Sequence, residues 1–223
     1  MSISKIEDNG LPRGWVKILF RDLINPRAER VSPLQYQNLP YIGLENVEAH
    51  TMKLLGNMPS ISMKSSSAHF YPKDVLYSRL RPYLNKVVCL DFEGLASAEF
   101  IVFPDTPYLN SFFLKYRLNS FDFVNFTSHL NAGDRPRVDF EMIGAFELII
   151  PPLNEQKRIV DKIEELFSKL DAGIAALERV QANLKRYRAA VLKAAVEGKL
   201  TEEWRKQNPN TEPASKLSRF SRR

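Results

Sequence analysis

The chain has 223 residues and a mass of 25.7 kDa, enough for one substantial globular domain plus an extended element but too short for two full-size domains. Hydrophobic residues make up 44% and charged residues 26%, which excludes disorder over most of the length. The single cysteine excludes an intramolecular disulfide and a cysteine-based zinc site. Because the sequence has no secretory signal pattern and no run of 18 apolar residues, we expect a cytoplasmic protein.

The net charge of +6 is unevenly distributed along the chain. Residues 1–153 carry 16 basic and 16 acidic side chains, whereas residues 154–199 carry 10 and 7, and residues 200–223 carry 6 and 3. The amino-terminal part is therefore neutral. A nucleic-acid surface on it must come from local clustering of basic residues.

The predicted elements before Pro152 are short. Runs of β-branched and aromatic residues between Pro, Gly and Asn predict strands, and two stretches without alternation predict helices. The predicted helices are 16–23 and 110–126, and the predicted strands are 41–44, 75–77, 86–90, 99–103 and 146–150. This pattern predicts an α+β fold, with a mixed α/β domain over residues 1–153.

A long helix is predicted over residues 154–199, because no proline occurs from 153 to 208. Asn154 can cap this helix and Gly198 can end it. Apolar residues recur at alternating steps of four and three, the a/d pattern of a coiled-coil seam. The predicted helix–helix interface consists of Ile163, Leu166, Leu170, Leu177, Val180, Leu184, Tyr187 and Val191.

The predicted helix is roughly 65 Å long at ~1.5 Å per residue, more than a domain of this size can cover. The apolar stripe therefore needs a partner helix, in this chain or in another. No second stretch of matching length occurs in the sequence. A helix folded back across its own domain is the alternative. Residues 200–223 are predicted to form a short helix that starts near Thr201, followed by a flexible tail.

Motifs for catalysis are absent from the sequence, which has no phosphate-binding loop, no dinucleotide fingerprint, no nucleophile elbow and no H-E-x-x-H. A nuclease-like set can be assembled from Asp105, Glu155 and Lys157, but an acid also suits the first turn of a helix. The histidines have no metal-ligand spacing and are predicted to be surface or capping residues: His50, His69 and His129. The sequence favours binding over catalysis, and no cofactor is expected in this chain.

Two segments are candidates for binding DNA. Residues 61–90 contain five basic residues against the single acid Asp74, with three tyrosines interleaved, and residues 131–137 form a polar loop with two arginines. If the first segment is extended, Arg79 and Arg81 share one face with Tyr77 and Tyr83. Arginine can bind guanine edges or phosphate, and Tyr and Asn can donate to phosphate. The predicted DNA contacts are Lys64, Tyr77, Arg79, Arg81, Lys86, Asn131, Arg135 and Arg137. A solvated basic edge strand and an ordinary turn are the alternatives.

Six segments together resemble the specificity subunit of type I restriction-modification enzymes. They are LPRGW at 11–15, DVLYSRLRPYLNK at 74–86, SAEF at 97–100, RP at 135–136, IPPLNEQKRIV at 150–160 and AAVEGKLTEEWR at 194–205. The resemblance covers residues 11 to 206 in the order of the family. It implies a target recognition domain of mixed α/β fold followed by a long helix of a conserved spacer region.

The resemblance further implies a non-catalytic subunit that binds double-stranded DNA. Such a subunit recruits methyltransferase subunits and, in the full enzyme, translocating restriction subunits. S-adenosylmethionine would then belong to the methyltransferase partner. The family usually has two recognition domains and two antiparallel long helices, whereas this sequence has one of each. We expect either the first half of a longer subunit or a half-size subunit that pairs with a second copy. The pairing of two copies predicts a symmetric split target.

Two other functions are alternatives. A coiled-coil scaffold or adaptor whose globular head binds protein would share the helix and the neutral domain, but its binding should be insensitive to salt. A nuclease or methyltransferase that acts alone is disfavoured by the missing metal and cofactor motifs. No membrane partner is expected.

Overall fold

The structure, a computed structural model, describes residues 10–131 and 133–214. The chain divides into two compact units, Met1–Ile163 and Glu164–Arg223. The strands are β1 Val16–Leu19, β2 Arg30–Val31, β3 Pro40–Ile42, β4 Met58–Pro59, β5 Ser67–Phe70, β6 Val75–Ser78, β7 Val87–Cys89, β8 Gly94–Ala96, β9 Phe100–Phe103 and β10 Glu147–Ile150. The helices are α1 Phe20–Leu23, α2 Ser111–Leu118, α3 Phe121–His129, α4 Phe140–Ile143, α5 Leu153–Val196 and α6 Glu202–Gln207. Short 3-10 turns are Pro33–Gln35, Leu44–Asn46, Ser60–Ser62, Pro82–Leu84 and Lys199–Thr201.

The first unit is an α+β domain, as predicted, built on three sheets. Strands β1 and β10 form an antiparallel pair. A five-stranded sheet has the order β2-β5-β8-β3-β4, with β3 and β8 parallel, and a three-stranded antiparallel sheet has the order β7-β6-β9. The predicted strands correspond to β3, β6, β7, β9 and β10. Strands β2, β4, β5 and β8 were not predicted, because β2 and β4 have only two residues and β5 and β8 contain Ser, Ala or Gly.

Both faces of the three-stranded sheet are buried. Val75 and Tyr77 of β6 pack into one apolar cluster, whereas Leu76 between them packs into a second cluster. The first cluster is completed by β1, β10 and the helices, and the second by residues of the five-stranded sheet. This alternation fixes the register of β6, because a shift by one residue would exchange the two sets of side chains.

The prediction of a helix over residues 16–23 is wrong for its first half. Residues 16–19 are strand β1, and only one helical turn, α1, follows. Val16 pairs with Ile150, and Leu19 pairs with Glu147. Ile18 and Phe20 face the core, a spacing of two that fits a strand. Pairing with the distant strand β10 therefore makes residues 16–19 a strand and not a helix. The same pairing brings β1 next to the start of α5.

The predicted helix over residues 110–126 is two helices, α2 and α3, separated at Asn119 and Ser120. Asn110 caps α2 through its side-chain oxygen, which accepts a hydrogen bond from the Phe113 N–H at 2.9 Å. The Asn119 side chain accepts a hydrogen bond from Asn85 in the 3-10 turn region. The break between α2 and α3 therefore places the Asn119 side chain against the loop that carries Arg81.

The long helix was correctly predicted, and its ends differ by a few residues. Helix α5 has 44 residues and begins at Leu153, so Asn154 lies in its first turn and is not its cap. Gly198 follows its end with φ 73° and ψ 10°, the left-handed conformation expected for the residue that ends a helix. The short helix predicted near Thr201 is α6. The predicted tail lies partly beyond the described residues, from 215 to 223. None of the helices in the described part of the chain is long and apolar enough to cross a membrane.

The apolar stripe of α5 is exposed. Ile163 and Val191 are partly buried, and the other six residues of the predicted interface expose more than half of their surface. Those six are Leu166, Leu170, Leu177, Val180, Leu184 and Tyr187. The predicted division at residues 153 and 199 stays a prediction, since the boundary between the compact units falls inside α5.

The start of α5 is held by Gln156, a side chain that exposes only 1% of its surface. Its amide oxygen accepts a hydrogen bond from the Asn110 N–H at 2.8 Å, and its amide nitrogen donates to the Pro151 carbonyl at 3.0 Å. The indole of Trp15 donates to the Glu155 carboxylate at 3.0 Å. These bonds join the first helical turn to β1 and to the α2 cap.

We predict that Gln156→Ala lowers the free energy of unfolding by about 2–4 kcal/mol, because it leaves several buried backbone groups without partners. Lys157→Ala, at the exposed neighbouring position, should change it by less than about 0.5 kcal/mol. Urea unfolding in a Trp204→Phe background, where Trp15 is the only tryptophan, measures both. Equal effects of the two substitutions would contradict the role of Gln156.

Candidate nucleic-acid interface

The structure brings together the two segments that the sequence singled out for DNA binding, although about fifty residues separate them. Leu80 and Arg137 form a β-bridge. The Val138 N–H donates to the Arg79 carbonyl at 2.9 Å, and the Arg81 N–H donates to the Pro136 carbonyl at 2.8 Å. The segment after β6 and the loop before α4 are thus joined by backbone hydrogen bonds.

This junction carries four arginines, which we call the arginine surface: Arg79, Arg81, Arg135 and Arg137. Arg81, Arg135 and Arg137 are exposed and Arg79 is half-buried. Asp134 lies in the same loop and the Glu99 carboxylate pairs with Arg137, so these six side chains together carry a net formal charge of +2. Clustered guanidinium groups can bind phosphates or the edge of guanine through paired N–H groups.

Several contacts hold the arginine surface in place. The Arg79 side chain donates through Nε to the Val138 carbonyl at 3.3 Å, and its backbone N–H donates to the Glu99 carbonyl at 2.8 Å. Arg137 forms an ion pair with the Glu99 carboxylate. The Asn131 amide donates to the Arg137 carbonyl at 2.8 Å. Asn131 and Arg79 therefore shape this surface, while Arg81 and Arg135 are the arginines without a side-chain contact among the described residues.

The backbone at Arg81 is left-handed, with φ 51° and ψ 64°, and Asn85 is left-handed too, with φ 40°. A non-glycine residue in this region is sterically disfavoured, and such residues concentrate at functional sites. The expected extended segment from 77 to 83 therefore ends at Ser78. Beyond it the chain turns through Pro82–Leu84, so Arg79, Arg81, Tyr77 and Tyr83 do not share one strand face.

Three predicted DNA contacts lie elsewhere. Tyr77 is fully buried, and this burial raises the pKa of its hydroxyl to about 12, so its prediction as a DNA contact is wrong for this fold. Lys86 donates to the Leu44 carbonyl at 2.7 Å and joins two loops. Lys64 is exposed in the loop between Ser60–Ser62 and β5, with no contact to the arginine surface among the described residues.

Sequence reasoning missed two residues of this region. Glu99 was noted only as part of a motif, yet its carboxylate holds Arg137 and its carbonyl accepts from Arg79. Arg30 is exposed and donates to the Ala98 carbonyl at 3.3 Å, next to Glu99. Local charge patterns could not identify either residue. Each is brought to the arginine surface by the pairing of strands that are distant in sequence.

The prediction that the histidines are surface or capping residues is wrong for His69. Its ring is only 3% exposed, with Nδ1 at 2.9 Å from the Glu29 carboxylate and Nε2 at 2.8 Å from the Glu93 carboxylate. The ring centroids of Tyr36 and Tyr71 lie 4.9 and 4.6 Å from that of His69. His50 and His129 are exposed. His69 thus joins the edges of β2, β5 and β8.

The nuclease-like set does not converge. Asp105 and Lys157 line the same cavity, but the Glu155 carboxylate is hydrogen-bonded to the Trp15 indole. The Asp105 carboxylate accepts from the Ser111 hydroxyl at 2.8 Å. In the described part of the chain, no group of three His, Cys, Asp or Glu side chains is placed to hold a metal ion.

The class of protein is thus an α+β domain in which two arginine-bearing segments converge, continued by a long helix with an exposed apolar stripe. The model of the type I restriction modification DNA specificity domain matches residues 26–179. The chain therefore belongs to this family, and the resemblance drawn from its motifs is confirmed.

Curated relatives agree with this assignment. The EcoDI specificity subunit of Escherichia coli is 28% identical over 205 residues, which cover 90% of this chain and 45% of the relative. The EcoKI specificity subunit of Escherichia coli strain K12 is 30% identical over 225 residues, which cover 93% of this chain and 48% of the relative. Both are specificity subunits of type I restriction enzymes. The chain spans about half the length of the curated relatives it matches.

Solved structures confirm the fold. The crystal structure of the HsdS subunit from Thermoanaerobacter tengcongensis matches with a TM-score of 0.67 and 20% identity over 83% of this chain and 49% of that chain. A structure from work on assembly and conformational transition of the type I R-M system matches with a TM-score of 0.65 and 20% identity, over 85% of this chain and 50% of that one.

The left-handed conformation of Arg81 makes a prediction about stability. Arg81→Gly should unfold with a free energy about 0.5–1 kcal/mol higher than Arg81→Ala, because glycine relieves the left-handed strain. At Arg79, which is not left-handed, the order should be reversed by a similar amount. Urea unfolding followed by Trp15 fluorescence, in the Trp204→Phe background, compares the four variants. The same order at both positions would show that Arg81 is not held in this conformation.

Proposed function

We propose that this chain is a DNA sequence-specificity subunit of a type I restriction-modification enzyme, or one half of such a subunit, and that it binds one half of a split DNA target. The observation that carries this proposal is the junction of residues 79–81 with residues 131–137, which places four arginines on one surface of a domain in the DNA specificity family. A neutral domain needs such clustering to bind DNA.

The arginines have different proposed roles. Arg81 and Arg135 project from strained or exposed loop positions and are proposed to contact bases or phosphates directly. Arg137 is held by Glu99, and Arg79 by the Val138 carbonyl, so their guanidinium groups are oriented before DNA arrives. Orientation before binding reduces the entropy lost on binding. Asn131 supports Arg137, and Lys64 is proposed as a peripheral phosphate contact.

We propose that the chain itself is non-catalytic. Its role would be to bring methyltransferase subunits, and restriction subunits in the complete enzyme, to the target DNA. S-adenosylmethionine would be bound by the methyltransferase subunit. The adaptor alternative, in which the head binds only protein, is not favoured by membership in a DNA specificity family.

The exposed stripe of α5 is proposed to pair with a second long helix. That helix would come either from a second copy of this chain or from a second half of a longer subunit. Apolar residues repeat along the stripe from Ile163 to Val191, about four heptads, a length that stabilises a coiled coil. A two-fold symmetric pair would present two recognition domains to two inverted half-sites.

The first test is transfer of a labelled methyl group to DNA by a co-expressed methyltransferase subunit, with and without this chain, followed by mapping of the methylated adenines. We expect methylation that depends on the chain and occurs at a split motif. Arg81→Ala and Arg135→Ala should each weaken binding to that motif by about 10- to 100-fold, as expected for loss of one specific arginine contact.

The matched control is Arg21→Ala, an exposed arginine of α1 whose backbone N–H donates to the Gly144 carbonyl, which should leave the motif and its affinity unchanged. Methylation that does not depend on the chain, although the two proteins copurify, would mean either that a missing second half is essential or that the adaptor function is favoured. Unchanged binding by both arginine variants would show that the contacts lie elsewhere on the domain.

A second test addresses the helix. If two copies pair, Leu170→Glu and Leu177→Glu should each convert a dimer to a monomer in sedimentation experiments, because a buried charge in the seam has no partner. Ala175→Glu and Ala182→Glu, at exposed positions outside the a/d pattern, should remain dimeric. A monomeric native chain at micromolar concentration would instead favour a missing second half. An asymmetric methylated motif with only this chain present would also contradict the symmetric pair.

A further inference from the structure

Charge is segregated along α5. Residues 155–178 carry four basic and six acidic side chains, whereas residues 179–196 carry five basic and no acidic side chains. The five are Arg179, Lys185, Arg186, Arg188 and Lys193, and all are exposed. A solvated helix face usually mixes both signs, so this half of the helix is unusual within its own element.

Three of these cations lie on one line. Arg179, Arg186 and Lys193 are seven residues apart, and each follows a residue of the apolar stripe by two positions. They therefore occupy the same heptad position, c, on the side of the helix that faces away from the seam. We call these three residues the basic ridge. A partner helix on the apolar stripe would leave the ridge exposed.

The positive charge of the ridge is largely uncompensated. Arg179 has no ion pair among the described residues, and Arg186 donates to the neutral amide of Asn183 at 2.6 Å. Lys193 lies 3.8 Å from a Glu197 carboxylate that is closer, at 2.7 Å, to Lys199. In the first half of the helix, by contrast, Lys169 is paired with Glu165.

The surroundings of the ridge favour a phosphate ligand over a protein surface. The helix positions that flank it are small, with Ala182, Asn183, Ala189 and Ala190 between successive cations. Protein interfaces depend on buried aromatic or large apolar side chains, and none lies at these four positions, whereas Leu192 and Val196 are exposed only beside the last cation, Lys193. Small neighbours let a rigid polyanion approach the ridge closely.

We propose that the basic ridge is a second DNA contact of this chain, one that binds backbone phosphates without regard to sequence. Three residues at seven-residue spacing extend over about 21 Å of helix. A duplex presents about one negative charge per 1.7 Å, so this length faces on the order of twelve phosphate charges. The ridge adds affinity and salt dependence, whereas the arginine surface supplies the sequence preference. The ligand rests on the proposed function, since DNA is the polyanion that function brings to the chain.

The test uses the full chain and a random-sequence duplex of about 30 base pairs, so no target sequence is needed. Dissociation constants are measured by fluorescence anisotropy between 50 and 200 mM KCl. The variant R179Q/R186Q/K193Q should reduce the magnitude of the slope of log K against log salt by about 2.7, which is ~0.9 for each lost phosphate contact. Glutamine is a good helix former, and circular dichroism verifies that the variant keeps its helix.

The matched control is R158Q/K162Q/K169Q, which removes the same charge from the half of α5 where acids balance the bases. It should leave the slope within about 0.5 of the native value, because these cations do not contact phosphate in the proposal. A slope that is unchanged in the ridge variant, or equally reduced in the control, would overturn the proposal. Loss of copurification with the methyltransferase subunit, with the slope unchanged, would overturn it in favour of a protein partner.

The two proposals fail separately. Motif-specific methylation that depends on the chain, combined with an unchanged salt slope in the ridge variant, overturns the ridge and leaves the proposed function standing. A reduced slope in the ridge variant without motif-specific methylation supports the ridge and overturns the specificity role. In the supported case, the ridge variant methylates the same motif as the native chain, with a weaker overall affinity.

Discussion

The buried carboxylate of Asp74 determines how the domain presents its arginines. It is fully buried and accepts hydrogen bonds from the Arg27 guanidinium, at 2.6 and 3.1 Å, and from the Tyr71 and Asp105 N–H groups, at 2.9 and 3.0 Å. A buried charge is tolerated only when its acceptor sites are satisfied, and removing one partner is strongly destabilising. Three loops thus meet at the residue that precedes β6. The start of that strand is fixed by these loops.

Because the start of strand β6 is fixed at Asp74, the position of the candidate interface at the other end of the strand is fixed too. Its side chains alternate between two apolar clusters, so neither its register nor its direction can change without unpacking both. Arg79 is the first residue beyond the strand, and its backbone pairs with Glu99 on one side and Val138 on the other. The arginines therefore lie on a rigid frame, although they belong to loops. Binding sites on such frames lose less entropy when a ligand binds.

Local patterns predicted the α+β class, five strands and the long helix, because each of these depends on residues close in sequence. The strand at 16–19 and the buried position of His69 were missed, since both are set by distant partners, Glu147–Ile150 in one case and two separate glutamates in the other. The two arginine segments were found as separate charge clusters. Their junction was not predictable, because a β-bridge between Leu80 and Arg137 leaves no mark in either segment. Tyr77 was misjudged for a related reason: a tyrosine among basic residues does not show that distant elements bury both faces of its strand.

In the proposed function, helix α5 uses one face to pair with a second helix and the opposite face to bind DNA. Exposed leucines such as Leu177 can be stabilised only by burial, at about 25 cal/mol per Å² of apolar surface, so the stripe favours a partner helix under any salt condition. The cations on the opposite side gain their energy from phosphate and release of counterions, which weakens steeply as salt rises. Because the two faces respond to different physical variables, pairing and DNA contact can be altered independently in one helix. In this proposal a single helix both pairs with a partner helix and adds affinity for DNA, through separate faces.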